Sequence, residues 1–504
     1  MDALLGIDVG TTALKVSLFL EDGRLLGSAG GHYPILSPAA GRAEQDPEAW
    51  WRALLDGCAA LKAAHPTAFS RLAGIGICGQ MHTQVYLDRA GTVLRPAITW
   101  MDQRASAIVL ELEARREGRD LIFAESQNFA TTTYTAPQVL WVKREEPALF
   151  ARVSHILLAK DYLKYRLTGR LSTDPSDATG TLLFNVVRGT WSEALLRYFD
   201  LSPTLFPEVW PSATIAGRVT GRAAAESGLK EGTPVANGSS DNSASALGAG
   251  IVRPGQAALI SGTAGVITVC SERPLPDPAR RTLCWSYCLP GRFIALGIMQ
   301  TAGESLNWFR RAFDPEAAPG QLEEEVFREY DRLAESVPEG SEGLVFLPYL
   351  CGERTPHWDP LARGLFFGVG LQTKKAHFVR AVMEGVAMGF RQNVEAVESL
   401  GVRLGEIRAV GGGMRSPVWL SILARIVRRP IATVLAPDPG NLGNVLLCGK
   451  ALGLYDSLEA QAARLAGAGT ALHFPEGSAA YERTYRLYAA LYPVLRATYR
   501  SARE

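Results

Sequence analysis

The sequence predicts a multi-domain α/β protein, and three observations lead to that prediction. The chain has 504 residues, of which 47% are hydrophobic and 20% charged. That length is typical of two to four domains, each with its own core. Short apolar strands precede helical patterns at several places, and one strand–turn–strand pattern occurs in both halves of the chain.

The first elements of this α/β protein can be predicted from the N-terminal residues. Apolar runs at 4–7, 15–20 and 24–28, with Asp22-Gly23 as a two-residue turn, predict an antiparallel meander. Asp46-Pro47-Glu48 then supplies an N-cap, a first-turn proline and a first-turn acid. The buried face of the helix that follows comprises Trp50, Trp51, Leu54, Leu55, Cys58 and Leu61.

A further strand and a C-terminal helix can be predicted from the same apolar patterns. Residues 75–78 predict another strand. The C-terminal stretch predicts a helix that packs against the body through Tyr481, Tyr485, Tyr488, Leu491, Tyr492 and Leu495.

A repeat relates the two halves of the chain. Residues 4–12 form an apolar strand that runs into a glycine-threonine turn, and residues 257–265 do the same before the strand 266–269. The repeat predicts two related domains that face each other, with a boundary in the small-residue run 237–250 or just after it at 253–255. The alternative is that small-residue turns between strands are simply common.

Composition disfavours several classes of function. Basic and acidic residues number 52 and 51, so the basic excess of nucleic-acid and membrane-surface binders is missing. No run approaches the roughly 18 apolar residues of a membrane span, and Asp2 stands where a signal peptide carries a basic residue. The seven cysteines form no CxxC pair, which indicates reduced thiols. We therefore expect a cytoplasmic protein that binds neither nucleic acid nor membrane.

The first glycine-threonine turn is a candidate phosphate site. Its backbone N–H groups and the hydroxyls of Thr11 and Thr12 are donors that a polyphosphate needs, and Lys15 adds a cation nearby. Asp8, at the end of the preceding strand, could hold Mg²⁺ directly or through water. An ordinary hairpin with a capping aspartate is the alternative. The sequence contains no GxxxxGK[ST], which excludes a P-loop.

Two glycine-rich segments provide further candidates. Asp241 lies in the small-residue segment 237–242, which we expect to be a flexible turn that meets a substrate at the domain boundary. Simple turn chemistry is the alternative for this aspartate. Gly411-Gly412-Gly413 would let the backbone approach a flat ligand closely, unless it is only a strand-to-helix turn.

Two other segments carry the side chains that bind sugars. Met81 and His82 follow the strand 75–78 and present a thioether and an imidazole, although a structural histidine is an alternative for His82. Trp100 offers a ring that can stack on the C–H face of a sugar, and Asp102 a carboxylate that can accept hydrogen bonds from vicinal hydroxyls.

Together these motifs resemble the FGGY carbohydrate kinases, within the superfamily of actin, hexokinase and Hsp70. The most specific element is Gly364-x-Phe366-x-Gly368-Val369, followed after seven residues by His377-Phe378-x-x-Ala381-Val382-Met383-Glu384. The N-terminal signature is visible at 134–141, with Gln138 where the family usually has lysine. The segments 79–82, 100–104, 160–163 and 352–357 are most similar to the xylulose-phosphorylating branch of the family.

The resemblance implies a fold and a reaction. The fold would be two RNase H-like domains of the actin/hexokinase type around a central cleft, at 1–249 for the sugar and 250–504 for the nucleotide. The reaction would be ATP-dependent phosphorylation of a ketopentose, D-xylulose first, with Mg²⁺. Another sugar kinase of the family, acting on ribulose, sedoheptulose or a deoxy-sugar, is the main alternative, and a non-catalytic sugar or nucleotide sensor is another. A sugar and ATP are the expected partners, and a homodimer is left open.

The resemblance also implies roles for particular residues. Asp241 corresponds to the catalytic base and Asp8 to the acid that organises magnesium. The expected sugar contacts are Met81, His82, Trp100, Asp102 and Asn242. The expected nucleotide contacts are Thr11, Thr12, Lys15, Gly262, Thr263, Gly303, Asn307, Gly412 and Gly413. The chain departs from the family at Ser421, Arg425 and 441–444, which leaves the reaction class intact and the precise sugar and nucleotide contacts open.

Overall fold

The protein was analysed as a computed structural model, which describes residues 2–314, 323–434, 436–467 and 472–501. The strands are β1 Ala3–Val9, β2 Ala13–Leu20, β3 Leu25–His32, β4 Glu44–Gln45, β5 Leu72–Gly79, β6 Gln84–Leu87, β7 Ala97–Ile98, β8 His155–Leu158, β9 Ser172–Thr173, β10 Phe184–Asn185, β11 Thr190–Trp191, β12 Glu208–Val209, β13 Ile215–Arg218, β14 Pro234–Ala236, β15 Ser239–Ser240, β16 Ala257–Ser261, β17 Gly265–Ser271, β18 Leu283–Ser286, β19 Phe293–Met299, β20 Val345–Leu347, β21 Leu365–Phe367, β22 Ile407–Val410, β23 Ile431–Thr433 and β24 Leu472–His473. The helices are α1 Pro47–Ala64, α2 Pro66–Ser70, α3 Ser106–Ala114, α4 Arg116–Ser126, α5 Thr135–Glu145, α6 Pro147–Phe150, α7 Ala159–Thr168, α8 Pro175–Ala178, α9 Glu193–Tyr198, α10 Gly221–Ser227, α11 Asp241–Gly248, α12 Gly303–Phe313, α13 Glu323–Glu335, α14 Lys375–Glu398, α15 Pro417–Val427, α16 Pro439–Ala451, α17 Leu458–Ala466 and α18 Ala479–Ser501.

Two large mixed sheets form the frame of the molecule, and their central strands have the same topology. In the first sheet β3, β2 and β1 are antiparallel neighbours, and β5 and then β14 continue in parallel from β1. In the second sheet β19, β17 and β16 are antiparallel neighbours, and β22 and then β23 continue in parallel from β16. The two halves therefore share one architecture, in agreement with the repeat at 4–12 and 257–265 and with the RNase H-like fold.

The predicted local signals form the expected elements. The Asp46 side chain accepts a hydrogen bond from the Glu48 N–H, and Pro47 begins α1, as the capping pattern predicts. Of the predicted α1 face only Leu55 is not fully buried. The predicted C-terminal helix is α18, which buries Tyr481, Tyr485, Tyr488, Leu491 and Tyr492 against the second half, while Leu495 is partly buried.

Helices α11 and α16 pack against each other between the two halves. A Cβ on Gly443 would lie 2.0 Å from the Ala244 carbonyl oxygen, and one on Gly76 would lie 2.0 Å from the Asn444 carbonyl oxygen. Only glycine allows backbones to approach so closely. As a result α16, from the second half of the sequence, lies directly on β1 and β5 of the first sheet, and both helices begin at the cleft between the halves.

None of the described helices has the length and apolar composition needed to cross a membrane.

Candidate active site

Three aspartates from distant parts of the chain meet in the cleft. Asp8 lies in β1, Asp241 begins α11, and Asp438 immediately precedes α16. Burial and then the charge of Asp438 raise the pKa of Asp8 to about 6. Burial and then the charge of Asp8 raise the pKa of Asp241 to about 7. Mutual repulsion among acids in a low-dielectric cleft is a common property of active sites.

Asp438 is a member of this acid group that the sequence did not indicate. Its carboxylate accepts hydrogen bonds from Ser17 Oγ at 2.7 Å and Asn441 Nδ2 at 3.1 Å, and Lys15 Nζ lies 3.6 Å away. As the N-cap of α16, with Pro439 behind it, this residue could be read from the sequence only as a helix start. Its position beside Asp8 is a consequence of the packing of α16 on β1.

A buried charge network holds the segment that ends at Asp241. Lys160 Nζ lies 2.7 Å from an Asp161 oxygen and 3.1 Å from oxygens of both Asp174 and Asp177, with all four side chains fully buried. Lys164 Nζ lies 3.0 Å from the same Asp161 oxygen.

Two hydrogen bonds connect this network to the segment. Lys164 Nζ donates to Asn237 Oδ1 at 2.6 Å. Ser176 Oγ donates to Asp174 and accepts the Ser240 N–H at 3.0 Å. The buried network therefore holds both ends of the segment 237–240, Asn237 through Lys164 and Ser240 through Ser176.

The expectation that residues 237–242 form a flexible turn is wrong. Asn237, Ser239 and Ser240 are fully buried, β15 pairs with β5, and Asp241 is the first residue of a helix. Small residues occur here because the segment passes between β5 and the buried lysines. At Gly238, for example, an added Cβ would lie 2.0 Å from the Ile77 carbonyl oxygen. The small side chains serve close packing rather than flexibility.

His82 has a defined tautomer. Its Nδ1 lies 2.6 Å from the Gly180 carbonyl oxygen, so Nδ1 carries the proton and Nε2 is an acceptor. Burial, with a smaller contribution from the charge of Arg354, lowers the pKa of His82 to about 4, so the ring is neutral at physiological pH. A neutral imidazole with a free acceptor nitrogen is suited to a sugar hydroxyl.

Two aromatic side chains outside the sequence prediction pack against His82, the residue that follows Met81. Asn242 Nδ2 approaches Met81 Sδ at 3.8 Å, so these two predicted residues are adjacent. The rings of Tyr134 and Trp285 pack edge-on against His82, and Trp285 Nε1 donates to Tyr134 Oη at 3.0 Å. Tyr134 lies in the signature segment 134–141, and that motif could have indicated it as a site residue. No sequence motif indicated Trp285, which lies on β18.

Trp100 and Asp102 have different surroundings despite their proximity in sequence. Trp100 Nε1 donates to Thr11 Oγ1 at 3.0 Å, which connects the predicted sugar and phosphate segments. Asp102 is fully buried, accepts the Ala43 N–H at 2.6 Å and binds the Arg104 guanidinium through both oxygens at 2.8 Å. The carboxylate of Asp102 is thus engaged inside the first half.

The two glycine-threonine turns connect central strands of their sheets, β1 to β2 and β16 to β17, and have similar internal bonding. Gly10 N–H donates to the Ala13 carbonyl at 3.0 Å, and Gly262 N–H donates to the Ala264 carbonyl at 3.0 Å. Thr12, Lys15 and Thr263 are exposed, and Thr11 is partly exposed. Donors on both turns are therefore available to a ligand in the cleft.

A cavity of about 610 Å³ opens in the second half and contains five of the nine predicted nucleotide contacts: Gly262, Gly303, Asn307, Gly412 and Gly413. Its other walls include Phe327, Met383 and Trp419. Gly411 lets the chain enter this wall, because its φ is 117° and a Cβ would lie 2.1 Å from the Ser261 carbonyl oxygen. Thr11, Thr12 and Lys15 lie in the opposite half.

The residues that depart from the family lie away from this cavity. Ser421 and Arg425 line a separate cavity of about 410 Å³ on the other side of α15. Asn444 Nδ2 donates to the Ile7 carbonyl at 2.9 Å, and Asn441 Nδ2 donates to Ser17 Oγ at 3.1 Å. These asparagines therefore join α16 to the first sheet.

Within the described ranges no group of three or more His, Cys, Asp or Glu side chains is close enough to form a complete metal site. Mg²⁺ in phosphoryl-transfer sites is usually bound by one or two carboxylates together with phosphate oxygens and water. Asp8, whose carboxyl is repelled by Asp438, fits that kind of donor set because a cation would relieve the repulsion.

Comparison with known proteins gives consistent similarities. The profile of the N-terminal domain of the FGGY family of carbohydrate kinases matches residues 3–248, and that of its C-terminal domain matches residues 257–452. The xylulose kinase of Bacillus subtilis (strain 168) is 33% identical over 459 residues, which cover 91% of this chain and 90% of that protein.

Solved structures with the same fold include two kinases with different named substrates. Xylulose kinase from Rhodospirillum rubrum superposes with a TM-score of 0.89 at 32% identity, over 99% of this chain and 100% of its own. Gluconate kinase from Lactobacillus acidophilus superposes with a TM-score of 0.91 at 28% identity, over 99% of both chains.

Proposed function

Because the chain belongs to the FGGY family of carbohydrate kinases, we propose that it transfers the γ-phosphoryl group of ATP to the terminal hydroxyl of a ketopentose, D-xylulose first. The similarity to xylulose kinases over most of the chain supports this choice of sugar. The products would be ADP and a ketopentose 5-phosphate.

The observation that carries the proposal is the position of Asp241. The pKa of its carboxyl is raised to about 7. The next residue, Asn242, contacts Met81, which is one of the expected sugar contacts. A group with a pKa near the operating pH is an effective acceptor for the proton of an attacking hydroxyl. In the reaction the hydroxyl proton passes to Asp241, the sugar oxygen bonds to the γ-phosphorus, and the bond from that phosphorus to ADP breaks.

The other residues of the cleft would bind and orient the two substrates. The Nε2 of His82 and the amide of Asn242 are suited to sugar hydroxyls, and the Trp100 ring to the apolar face of the sugar. The cavity at Gly412 and Gly413 would take the adenine ring, and the two glycine-threonine turns would donate to the phosphates. Phosphoryl transfer depends mainly on such positioning and charge stabilisation.

We propose Asp8 as the protein ligand of Mg²⁺, directly or through water. When bound, the ion would neutralise phosphate charge. Asp438 and its bond to Ser17 would keep a second acid beside it.

The substrate is tested by measuring ADP release over a panel of sugars. D-xylulose, D-ribulose, sedoheptulose and a deoxy-sugar cover the alternatives within the family, and D-gluconate is included because of the similarity to a gluconate kinase. Glycerol and an aldose complete the panel. We expect the highest kcat/KM for D-xylulose. A tenfold preference for glycerol, an aldose or gluconate over every ketopentose, about 1.4 kcal/mol in transition-state binding, would refute the assignment.

The base is tested with Asp241→Asn, which preserves size and hydrogen bonding but removes the proton acceptor. We expect kcat to fall roughly 10²–10⁴-fold. Sugar affinity by calorimetry should change far less, because an amide still contacts a hydroxyl. Near-normal turnover in this variant would exclude Asp241 as the base.

We also propose a cytoplasmic location for the enzyme. All seven cysteines are free thiols and six of them are buried, and reduced cysteines are typical of that compartment.

A further inference from the structure

Arg354 is carried on a loop of the second half whose backbone is fixed on both sides of it. The Thr355 N–H donates to the Ile298 carbonyl at 2.9 Å, and the Ile298 N–H donates back to Thr355 Oγ1 at 3.0 Å. The Glu353 carboxylate accepts the Gln300 N–H at 2.8 Å and the Arg354 N–H at 2.7 Å. The backbone from which the Arg354 side chain extends is therefore held by β19 and the residues that follow it.

The side chain crosses the cleft to the sugar residues of the first half. Its Cζ lies 5.2 Å from the centroid of the Trp100 ring. Its charge lowers the pKa of His82 in the same direction as burial does. It also lowers the pKa of Tyr134, where burial acts in the opposite direction and raises it. One arginine from the second half thus faces three aromatic side chains at the sugar end of the cleft.

The guanidinium has no acidic partner there. Across the described parts of the chain, no carboxylate lies within 4.0 Å of it and no hydrogen bond from its side chain is formed. Glu353 does not neutralise it, because burial raises the pKa of Glu353 to about 8 and its carboxyl is engaged with backbone N–H groups. Burial lowers the pKa of Arg354 to about 10, which leaves it charged at neutral pH.

Arg354 is partly exposed in the cleft, and its guanidinium has five N–H donors that the described residues leave free for a ligand. A ligand that supplies oxygen atoms would satisfy them. Asp241 and Asn242 mark the proposed position of the reacting hydroxyl. Asn242 contacts Met81, and the next residue, His82, packs against Tyr134 and Trp285. We therefore expect Arg354 to meet oxygen atoms at the other end of the sugar, away from the reacting hydroxyl.

We infer that Arg354 determines substrate specificity by binding the carbonyl oxygen at C2 and the hydroxyl at C1 of a 2-ketose through two adjacent N–H groups. This inference rests on the proposed function, and it names the group that would distinguish a ketose from a polyol of the same length. The two oxygens of a 1-hydroxy-2-ketone are neighbours, and the planar fork of arginine suits paired acceptors.

The test compares Arg354→Met with the wild-type protein on three substrates. D-xylulose has both oxygens, 1-deoxy-D-xylulose lacks the C1 hydroxyl, and xylitol lacks the carbonyl. Methionine retains length and contact with Trp100 but has no donor. We expect KM for D-xylulose to rise roughly 10–100-fold, as for a lost hydrogen bond to a charged group. KM for xylitol should change less than threefold, so the preference for the ketose should collapse, and KM for ATP should stay within twofold.

Two further measurements make the result decisive. Calorimetric titration of D-xylulose without nucleotide should show the same loss of affinity in Arg354→Met, and Arg354→Lys should give an intermediate loss because it retains charge without the fork. Arg363→Met is the matched control, an exposed arginine of the same segment whose side chain donates to the carbonyls of Pro360 and Ala362, and it should leave every parameter unchanged.

Two outcomes would overturn the inference. If sugar affinity without nucleotide is unchanged and kcat falls equally for all three substrates, Arg354 acts on the transferring phosphoryl group instead. If the preference for ketose over polyol survives in a folded Arg354→Met variant, another residue reads the carbonyl. Failure of the proposed function is a separate result, in which the wild-type protein phosphorylates no ketopentose at all.

Discussion

Single residues in the cleft combine chemical roles with a cost in stability, and Asp241 is the clearest case. Its carboxyl accepts the Asn242 N–H at 2.7 Å, yet burial and Asp8 still raise its pKa from 3.8 to about 7. The ionised form required of a base is therefore disfavoured in the folded protein.

The sign of this effect gives a testable pH dependence. Because the pKa of Asp241 is higher in the folded than in the unfolded state, the folded state binds more protons between pH 4 and 7 and stability falls as pH rises through that interval. Asp241→Asn removes the effect. We expect its advantage in free energy of unfolding over the wild type to be about 2 kcal/mol larger at pH 8 than at pH 5. Urea denaturation at the two pH values measures it.

Asp200→Asn is the control for this experiment. Lys143 lowers the pKa of the exposed Asp200 carboxyl through a hydrogen bond, so its stabilising effect is lost as pH falls and replacement should bring no gain at pH 8. An equal advantage of Asp241→Asn at both pH values would contradict the assigned pKa.

At the scale of elements, α7 and α8 determine where Asp241 stands. Lys160 and Lys164 on α7 face Asp161, Asp174 and Asp177 around β15. Burial raises the pKa of Asp177 well above its usual value, so this carboxyl is the one that most readily holds a proton. The charges of the two lysines are then balanced by the carboxylates of Asp161 and Asp174.

This balance predicts different effects for two replacements. Lys160→Met would leave carboxylates without their cation in a fully buried site, and we expect a loss of about 3–5 kcal/mol in the free energy of unfolding. Asp177→Asn should cost far less, because burial raises the pKa of this carboxyl and the replacement leaves both lysines in place. Denaturation midpoints measure both.

Arg222→Ala provides the reference for this pair of replacements. It breaks an exposed ion pair with Glu226 at 2.9 Å and should change stability by less than about 0.5 kcal/mol. If Lys160→Met is as mild as Arg222→Ala, the buried network does not hold the segment that ends at Asp241.

At the scale of the whole molecule, the proposed nucleotide site and the proposed catalytic residues belong to different halves. Every residue that lines the 610 Å³ cavity comes from the second half, whereas Asp8, Thr11 and Asp241 belong to the first. A γ-phosphate would have to contact both sets, and we expect the halves to approach each other when both substrates are bound. Closure of this kind would also exclude water, which competes with the sugar as nucleophile.

Small-angle scattering can test this closure. We expect a smaller radius of gyration with D-xylulose and a non-hydrolysable ATP analogue together than for the free protein. Adenosine with the sugar is the control, because it can fill the cavity but has no phosphate to reach Thr11. An unchanged profile at saturation with both ligands would argue against closure.

The sequence by itself determined the elements and the kind of fold. The capping pattern at Asp46, the buried faces of α1 and α18, and the repeat at 4–12 and 257–265 depend on residues that are neighbours along the chain. Caps, periodicity and turn chemistry are local, so these predictions are confirmed by the structure. The signatures around Gly364 and Glu384 likewise indicated the family.

Only the tertiary structure decided which side chains face the cleft. It brought Asp438 to Asp8 and Arg354 to Trp100, bound Asp102 to Arg104, and placed Ser421 and Arg425 at a different cavity from the one that Gly412 and Gly413 line. It also replaced the flexible turn at 237–242 by a buried strand and a helix start. The physical reason is that the direction of a side chain depends on how helices such as α16 pack across the sheets, through contacts between distant segments that leave no pattern in the local sequence.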